Sequence, residues 1–264
     1  MAAAEILFGT AGWSYADWQG TVYPDPLPAG FNHLAFLAEQ LNFVEVNTTF
    51  YRIPALSLTS GWVRKTASLP RFSFWVKIHQ NFTHRLQLDD NETTAFQTAL
   101  KPLADAGKLE GLLAQFPFSF KFSEGNLGYL HRLSDCFATV PLAVEFRHSS
   151  WENPETSEFF ASRRLVWTNI DQPLIGASLP LGARLTHPDI AYFRLHGRNY
   201  KNWFGDAGRD ARYDYLYTLG ELGQIAETIR KLREQAKKIF VSGNNHYQGS
   251  ALKNLIQLKE MLAG

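Results

Sequence analysis

Short apolar runs rich in β-branched or aromatic residues recur along the whole chain, and each is bounded by Gly, Pro, Asn or Asp. Such runs are typical of buried strands. They predict eight strands: Ile6–Thr10, Phe43–Asn47, Phe72–Ile78, Gly111–Gln115, Leu142–Phe146, Leu165–Ile170, Ala191–Leu195 and Lys238–Val241. Apolar residues at helical spacing predict helices between most of them: Asn32–Leu41, Leu58–Ala67, Asn91–Ala104, Ser123–Leu133, Asn153–Ser162, Gly223–Ala236 and Gly249–Leu262. Asn91, Ser123 and Pro154 are the expected start signals of three of these helices.

The alternation of strands and helices predicts a single α/β domain over residues 1–264, a (β/α)8 TIM barrel. The segment 171–189 between the sixth and seventh strands holds three prolines, so we expect the helix there to be missing or rudimentary. An open doubly wound sheet is the alternative fold. The length of 264 residues fits a barrel, because such domains have about 250 residues.

Composition narrows the classes of function. Hydrophobic residues make up 45% and charged residues 19%, as in a folded globular protein. The 26 Lys and Arg against 25 Asp and Glu exclude a strongly basic nucleic-acid binder, although they allow a local basic pocket. A single cysteine, Cys136, excludes a disulfide framework and a Cys-based zinc site. No long apolar run and no secretory leader is recognisable, which predicts a cytoplasmic protein without a membrane partner.

Polar residues collect where the predicted strands end, which is where TIM barrels place their active sites. The predicted catalytic residues are Glu45, Lys77, Glu145 and His196. The predicted ligand-binding residues are Trp13, Asn47, Tyr51, Arg147, His148, Arg194, Asn244 and Asn245. On the second strand, the spacing of Glu45, Asn47, Thr49 and Tyr51 predicts one shared face. His84 and His246 are expected to be loop histidines, and Trp203 and Phe204 a lid or rim packing.

Buried ions must be paired, so several cations and carboxylates at one barrel mouth predict mutual ion pairs and an anionic or polar ligand. The alternative is a salt-bridge network that closes the barrel and has no chemistry. Glu45 is either a ligand-contacting residue or a support for Lys77 or Arg147, and Asn244 and Asn245 could form only a turn. We predict no metal ligands and no cofactor, because cations between the candidate ligands repel a divalent ion.

Several ordered strings resemble the domain-of-unknown-function 72 family, also called YecE-like. They are Gly9-Thr10-Ala11-Gly12-Trp13-Ser14-Tyr15, Val44-Glu45-Val46-Asn47-Thr48-Thr49-Phe50-Tyr51-Arg52, Phe74-Trp75-Val76-Lys77, Gln115-Phe116-Pro117, Ala143-Val144-Glu145-Phe146-Arg147-His148-Ser149-Ser150-Trp151, Arg194-Leu195-His196-Gly197-Arg198 and Asn244-Asn245. The resemblance extends from about residue 7 to 256 and implies a TIM barrel. It implies little about a reaction.

Two functional hypotheses follow. The first is an enzyme acting on a small phosphorylated or carboxylated ligand, or on a phosphodiester. In it Lys77, Arg147 and Arg194 hold the anion, Glu145 or Glu45 is the general base, and His196 is the general acid. The second is a non-catalytic protein that binds a nucleotide or single-stranded nucleic acid. There Trp13, Trp18, Tyr51 and Trp151 would stack on bases. The oligomeric state is left open by both.

Overall fold

A closed barrel of parallel strands forms the centre of the molecule. The structure is a computed structural model, and it describes residues 3–203 and 210–263. The strands are β1 Glu5–Ala11, β2 Phe43–Val46, β3 Ser73–Lys77, β4 Leu109–Gln115, β5 Leu142–Glu145, β6 Val166–Asp171, β7 Ile190–Leu195 and β8 Lys238–Gly243. They pair in chain order, and β8 closes the barrel on β1. The predicted single-domain TIM barrel is therefore confirmed, and the open sheet is excluded.

Helices follow most of the strands. They are α1 His33–Ala38, α2 Leu56–Lys65, the short α3 Gln80–Thr83, α4 Asp90–Asp105, α5 Glu124–Cys136, α6 Pro154–Arg163, α7 Leu219–Arg230 and α8 Ser250–Ala263. No helix lies between β6 and β7, as expected. The chain there is held by the Asn169 side chain, whose Oδ1 accepts from Arg184 N at 2.8 Å. Within the described ranges, no helix has both the length and the apolar character needed to cross a membrane.

The helix starts follow local capping chemistry. Ser123 caps α5 and Pro154 opens α6, as predicted. The prediction that Asn91 caps α4 is wrong. The helix begins at Asp90, because the Asp89 side chain accepts from the backbone N of Glu92 and is the cap. The predicted start of α7 at Gly223 is also wrong. A capping box between Thr218 and Glu221 starts that helix at Leu219.

The barrel interior is layered by the two-residue repeat of its strands. An apolar side chain on a strand is followed, two residues later, by a polar one at the carboxyl end. Such pairs are Phe43 and Glu45, Trp75 and Lys77, Leu113 and Gln115, Ala143 and Glu145, Tyr192 and Arg194, and Phe240 and Ser242. The apolar members belong to one buried cluster inside the barrel. The alternation of side chains along the strands thus places a polar layer directly above a layer of mainly aromatic side chains.

Candidate functional site

Two adjoining cavities open at the carboxyl ends of the strands, and together they are called the cup. The first measures about 390 Å³ and is lined by Gly12, Trp13, Ser14, Tyr15, Asn47, Thr48, Phe50, Tyr51, Leu58, Trp62, Lys77, Gln115, Arg147, Arg194, Tyr213, Asn244 and His246. The second measures about 300 Å³ and is lined by Phe50, Tyr51, Lys77, His84, Gln115, Pro117, Phe118, Arg147, Gln172, Ser178, Trp203, Arg212 and Tyr213. Lys77, Gln115 and Arg147 belong to both cavities. Among the described residues, no Asp or Glu lines either one.

Arg194 on β7 is the centre of an ionic layer beneath the first cavity. Its Nε donates to Glu45 Oε2 at 2.8 Å and its Nη2 to Glu45 Oε1 at 2.6 Å. Its Nη1 donates to Glu145. Tyr192 and Ser242 also donate to Glu45 Oε2, at 2.8 and 3.2 Å. Glu45 is therefore fully buried and held by several donors, as a buried carboxylate must be.

Glu145 connects this layer to the cup and to a histidine. Arg147 Nη2 lies 2.7 Å from Glu145 Oε1, and His196 Nε2 lies 3.2 Å from the same oxygen. The Asn244 amide contacts His196 Nδ1 at 2.8 Å. With that amide as the donor, Nδ1 accepts, and the ring proton is on Nε2, facing Glu145. Asn244 thus sets which histidine nitrogen carries the proton.

The charges in this layer set its protonation. Burial opposes ionisation of Glu145, but Arg147 and Arg194 outweigh it and hold the pKa of Glu145 well below its usual range. Burial would lower the pKa of Arg194, but Glu145 and Glu45 raise that pKa well above its usual value. Burial and then Arg147 lower the pKa of His196 to about 3. At neutral pH Glu145 is therefore a carboxylate and Arg194 a guanidinium, while His196 is a neutral imidazole.

Lys77 is a titratable side chain that lines the cup. Its Nζ donates to Gln115 Oε1 at 2.6 Å and lies 4.1 Å from the centroid of the Phe50 ring. Burial and then the charge of Arg194 lower the pKa of Lys77 to about 7, although Glu145 and Glu45 oppose this. A lysine whose charge changes near neutral pH is thus placed where a ligand can reach it.

Aromatic side chains form one wall of the first cavity. Trp13 packs edge-on against Trp62 with ring centroids 5.7 Å apart, and Tyr15 stacks on His246 at 4.3 Å. Tyr51 is 54% exposed on the rim. This wall offers a ligand apolar contact next to the cationic floor.

Two of the tryptophans expected to stack on bases do not reach the cup. Trp18 and Trp151 have no exposed surface, and their indole nitrogens donate to the backbone oxygens of His246 and Phe120. The expectation is wrong for them because both rings pack in the hydrophobic core outside the strands. Phe204 lies outside the described residues. Trp203 lines the second cavity, where Arg147 lies over its ring.

The predicted site residues divide into three groups. Seven of them line the cup: Trp13, Asn47, Tyr51, Lys77, Arg147, Asn244 and, at its floor, Arg194. Glu45, Glu145 and His196 lie beneath that floor, buried and paired with one another or with the arginines. His148 and Asn245 lie outside the cup. His148 Nδ1 accepts from Ser150 N, and the Asn245 amide donates to Tyr215 O and Asn254 Oδ1.

The single face predicted for residues 45 to 51 is wrong. Strand β2 ends at Val46, and a 3-10 turn over Thr48–Phe50 follows. Thr49 turns inward, where its hydroxyl donates to Lys77 O at 2.6 Å. This contact ties the end of β2 to the end of β3. Asn47 and Tyr51 reach the cup through the turn, not through strand alternation.

Several cup residues were not predicted from the sequence. Trp62 comes from helix α2, whereas Gln115 is the final residue of β4 and could have been found from its strand-end position. Arg212 and Tyr213 come from the turn before α7, and nothing in the local pattern assigns them to the cup. His84 and His246, expected to be plain loop histidines, also line it.

The described residues contain no cluster of side chains that could hold a metal ion. No group of three or more His, Cys, Asp or Glu side chains there is placed to hold an ion. Asp171, the carboxylate that ends β6, is instead bound by Arg198 at 2.7 Å and by the Tyr217 hydroxyl at 2.7 Å. This second polar cluster connects β6, β7 and the segment before α7.

Two known proteins with similar sequences are both named UPF0759 proteins. UPF0759 protein YunF of Bacillus subtilis (strain 168) is 32% identical over 272 aligned positions, covering 97% of this chain and 94% of the relative. UPF0759 protein YecE of Escherichia coli O157:H7 is 26% identical over 186 positions, covering 70% of this chain and 63% of the relative.

A solved DUF72 family protein (TM1631) from Thermotoga maritima superposes with a TM-score of 0.88 at 37% identity, covering 98% of this chain and 99% of that one. The model of the family described as "Protein of unknown function DUF72" matches residues 7–264. This chain therefore belongs to the DUF72 family.

Proposed function

We propose that this protein is an enzyme acting on a small anionic ligand, either phosphorylated or carboxylated, or on a phosphodiester. General acid/base chemistry would occur at the carboxyl ends of the strands. The observation that carries the proposal is the lining of the cup. Lys77, Arg147, Arg194 and Arg212 line it, and no carboxylate does so among the described residues. Such a surface attracts an anion of matching size.

A count of charges supports the anion. Glu45 and Glu145 balance Arg194 and Arg147, so the ionic layer is neutral without a ligand. A proton on Lys77 then adds a positive charge that no carboxylate of this layer balances. A bound anion compensates that charge and stabilises the protonated lysine. Binding of an anion is thus coupled to the protonation state of Lys77.

Arg147 is the best-placed group to hold the ligand. Its guanidinium is anchored by Glu145 on one side and by Gln172 Oε1, which accepts from Nη1 at 2.7 Å, on the other. Its side chain is nevertheless 13% exposed and lines both cavities. Anchoring at both sides reduces the entropy lost when the guanidinium binds an anion. The planar guanidinium can also donate two parallel hydrogen bonds to a carboxylate or a phosphate.

Lys77 is the group best suited to move a proton to or from the ligand. General acid/base catalysis works best when the pKa of the group is near the working pH, and it contributes roughly 10²- to 10⁴-fold in rate. The catalytic roles of Glu45, Glu145 and His196 remain predictions. Their burial beneath the floor favours positioning roles, in which they orient Arg194 and Arg147.

Calorimetric titration with inorganic phosphate and with pyruvate tests the anion site. Arg147→Gln should weaken binding by roughly 10- to 100-fold, because one charge-assisted contact is lost. Arg184→Gln is the matched control: Arg184 also pairs with a glutamate, Glu152 at 3.6 Å, and lies over a tryptophan, but does not line the cup. Equal affinities in the wild type and Arg147→Gln would contradict the proposal.

The second candidate is a non-catalytic protein that binds a nucleotide or single-stranded nucleic acid. The accessible rings of Trp13 and Tyr51 beside the cationic floor favour it, because bases stack on such rings. It requires an affinity for oligonucleotides that falls steeply between 50 and 200 mM salt. Fluorescence titration with a short oligothymidine measures this. A flat salt dependence counts against this candidate and leaves the enzyme hypothesis in place.

A further inference from the structure

Lys77 differs from Arg147 and Arg194 in its partners. Arg147 and Arg194 are each paired with a carboxylate, whereas Lys77 has the neutral amide oxygen of Gln115 and the face of Phe50. Within the described part of the chain, no ion pair joins Lys77 to an acid. The charged groups that act on it are Arg194 and Arg147, which disfavour its proton, and Glu145 and Glu45, which favour it.

These surroundings are those in which a lysine amine acts as a nucleophile. A lysine is activated as an amine nucleophile by desolvation and by nearby cations, and both conditions hold here. Burial and then Arg194 lower the pKa of Lys77 to about 7, so the free amine is populated near neutral pH. The amine faces a cavity of about 390 Å³, large enough for a small metabolite.

Arg147, the arginine proposed to hold the anion, lines the same two cavities as this amine. Lys77 ends β3 and Arg147 follows β5, the strands on either side of β4. A ligand whose carboxylate binds Arg147 therefore occupies a cavity that Lys77 also lines, and in an α-keto acid the carbonyl carbon is bonded directly to that carboxylate. We propose that Lys77 forms a Schiff base with the carbonyl group of a small α-keto acid whose carboxylate is held by Arg147. This assignment rests on the proposed anion site and gives its ligand a chemical class.

The step balances without a further reactant. The neutral Nζ attacks the carbonyl carbon, a C–N bond forms, and the carbonyl electron pair moves to oxygen. A proton passes from nitrogen to that oxygen, which gives a carbinolamine. The C–O bond then breaks, the oxygen leaves as water after it takes a second proton from solvent, and an iminium remains. Its positive charge replaces the charge of the lysine ammonium, so the balance of the ionic layer is unchanged.

Reductive trapping tests the assignment directly. The wild-type protein is incubated with pyruvate and sodium cyanoborohydride, and the modified residue is mapped by mass spectrometry of peptides. We expect one reduced adduct, at Lys77, and no comparable adduct at Lys108. Lys108 is the matched internal control, because it is also buried but donates to the backbone oxygens of Leu69 and Phe72 away from the cup. Mapping in the wild type needs no variant to fold.

The pH dependence and two variants give independent readouts. Labelling of Lys77 should level off above about pH 8, whereas labelling of the exposed Lys101, outside the cup, should continue to rise with pH over the same range. Arg147→Gln should reduce trapping at least tenfold, and acetone, which lacks a carboxylate, should label poorly. Lys77→Arg should remove the adduct.

Each remaining outcome is decisive. Adducts spread over exposed lysines at equal rates, or no adduct at all, would overturn the Schiff-base assignment. If the calorimetric titration still shows anion binding that depends on Arg147, the anion site stands and only the covalent step is lost. If both fail, the proposed function fails with it.

Discussion

Replacement of Lys77 by methionine should stabilise the protein at neutral pH and lose that effect at alkaline pH. Lys77→Met keeps the length of the side chain and removes the amine. In the wild type, folding lowers the pKa of Lys77 from 10.5 to about 7, chiefly by burial and then by the charge of Arg194. Between these values the unfolded chain binds a proton that the folded protein has released. The stability of the wild type therefore rises with pH across this range.

The size of the effect follows from the two pKa values. They differ by about 3.5 pH units, which corresponds to roughly 5 kcal/mol when the whole interval is crossed. The cost is nearly complete at pH 7 and below about 1 kcal/mol at pH 10. Contact of the ammonium with water in the cup offsets part of it, so we expect the variant to gain roughly 2–4 kcal/mol relative to the wild type at pH 7.

Urea unfolding of both proteins at several pH values between 7 and 10 measures the difference. Loss of the hydrogen bond to Gln115 changes stability by the same amount at each pH, so only the slope is diagnostic. His84 does not contribute, because burial and then Lys77 lower its pKa to about 4, below this range. Lys101→Met, at an ammonium that is about two-thirds exposed, is the control and should show a flat difference. A flat difference for Lys77→Met as well would show that folding does not lower the pKa of Lys77.

Three further predictions concern the ionic layer and the barrel interior. Arg194→Met should destabilise the protein by about 3–5 kcal/mol in urea unfolding, because Glu45 and Glu145 remain buried without their shared partner; a loss below about 1 kcal/mol would contradict this. Sulfate affinity, measured by calorimetry, should fall as pH rises from 7.5 to 9.5, by up to about tenfold per pH unit, since Lys77 loses its proton; an unchanged affinity would separate Lys77 from the anion. Gly111→Ala should cost about 1–3 kcal/mol, because a Cβ would lie 2.5 Å from the Trp75 ring; a neutral thermal melt would contradict that close approach.

The fold and the floor of the cup could be predicted because both follow from the two-residue strand repeat. The alternation that buries Trp75 and Tyr192 also places Lys77 and Arg194 above them, so the sequence shows which strand ends carry charge. Parallel pairing then brings residues 77, 145 and 194 to one end of the barrel. Of the predicted residues, Arg147, Arg194 and His196 all contact Glu145, and Lys77 lines the cup above them.

The remainder depended on three-dimensional details that a pattern does not hold. Glu45 and His196, predicted to face a ligand, are buried beneath the floor. Packing decides which side chain covers which, and Arg194 covers the carboxylates of Glu45 and Glu145. A 3-10 turn follows β2, so the two-residue repeat of a strand does not predict which way the side chains after Val46 point. Tyr213 reaches the cup from a loop with no periodicity to interpret.

The proposed function requires the cup to bind a small anion through Lys77 and Arg147. A crystal structure of protein purified without chelator and soaked with graded amounts of selenate, located by its anomalous scattering, tests this. We expect the first site to fill to lie in the cup, within hydrogen-bond distance of Lys77 Nζ and the Arg147 guanidinium. A cup that stays empty while other sites fill, or a metal ion bound by Glu145 in its place, would contradict it.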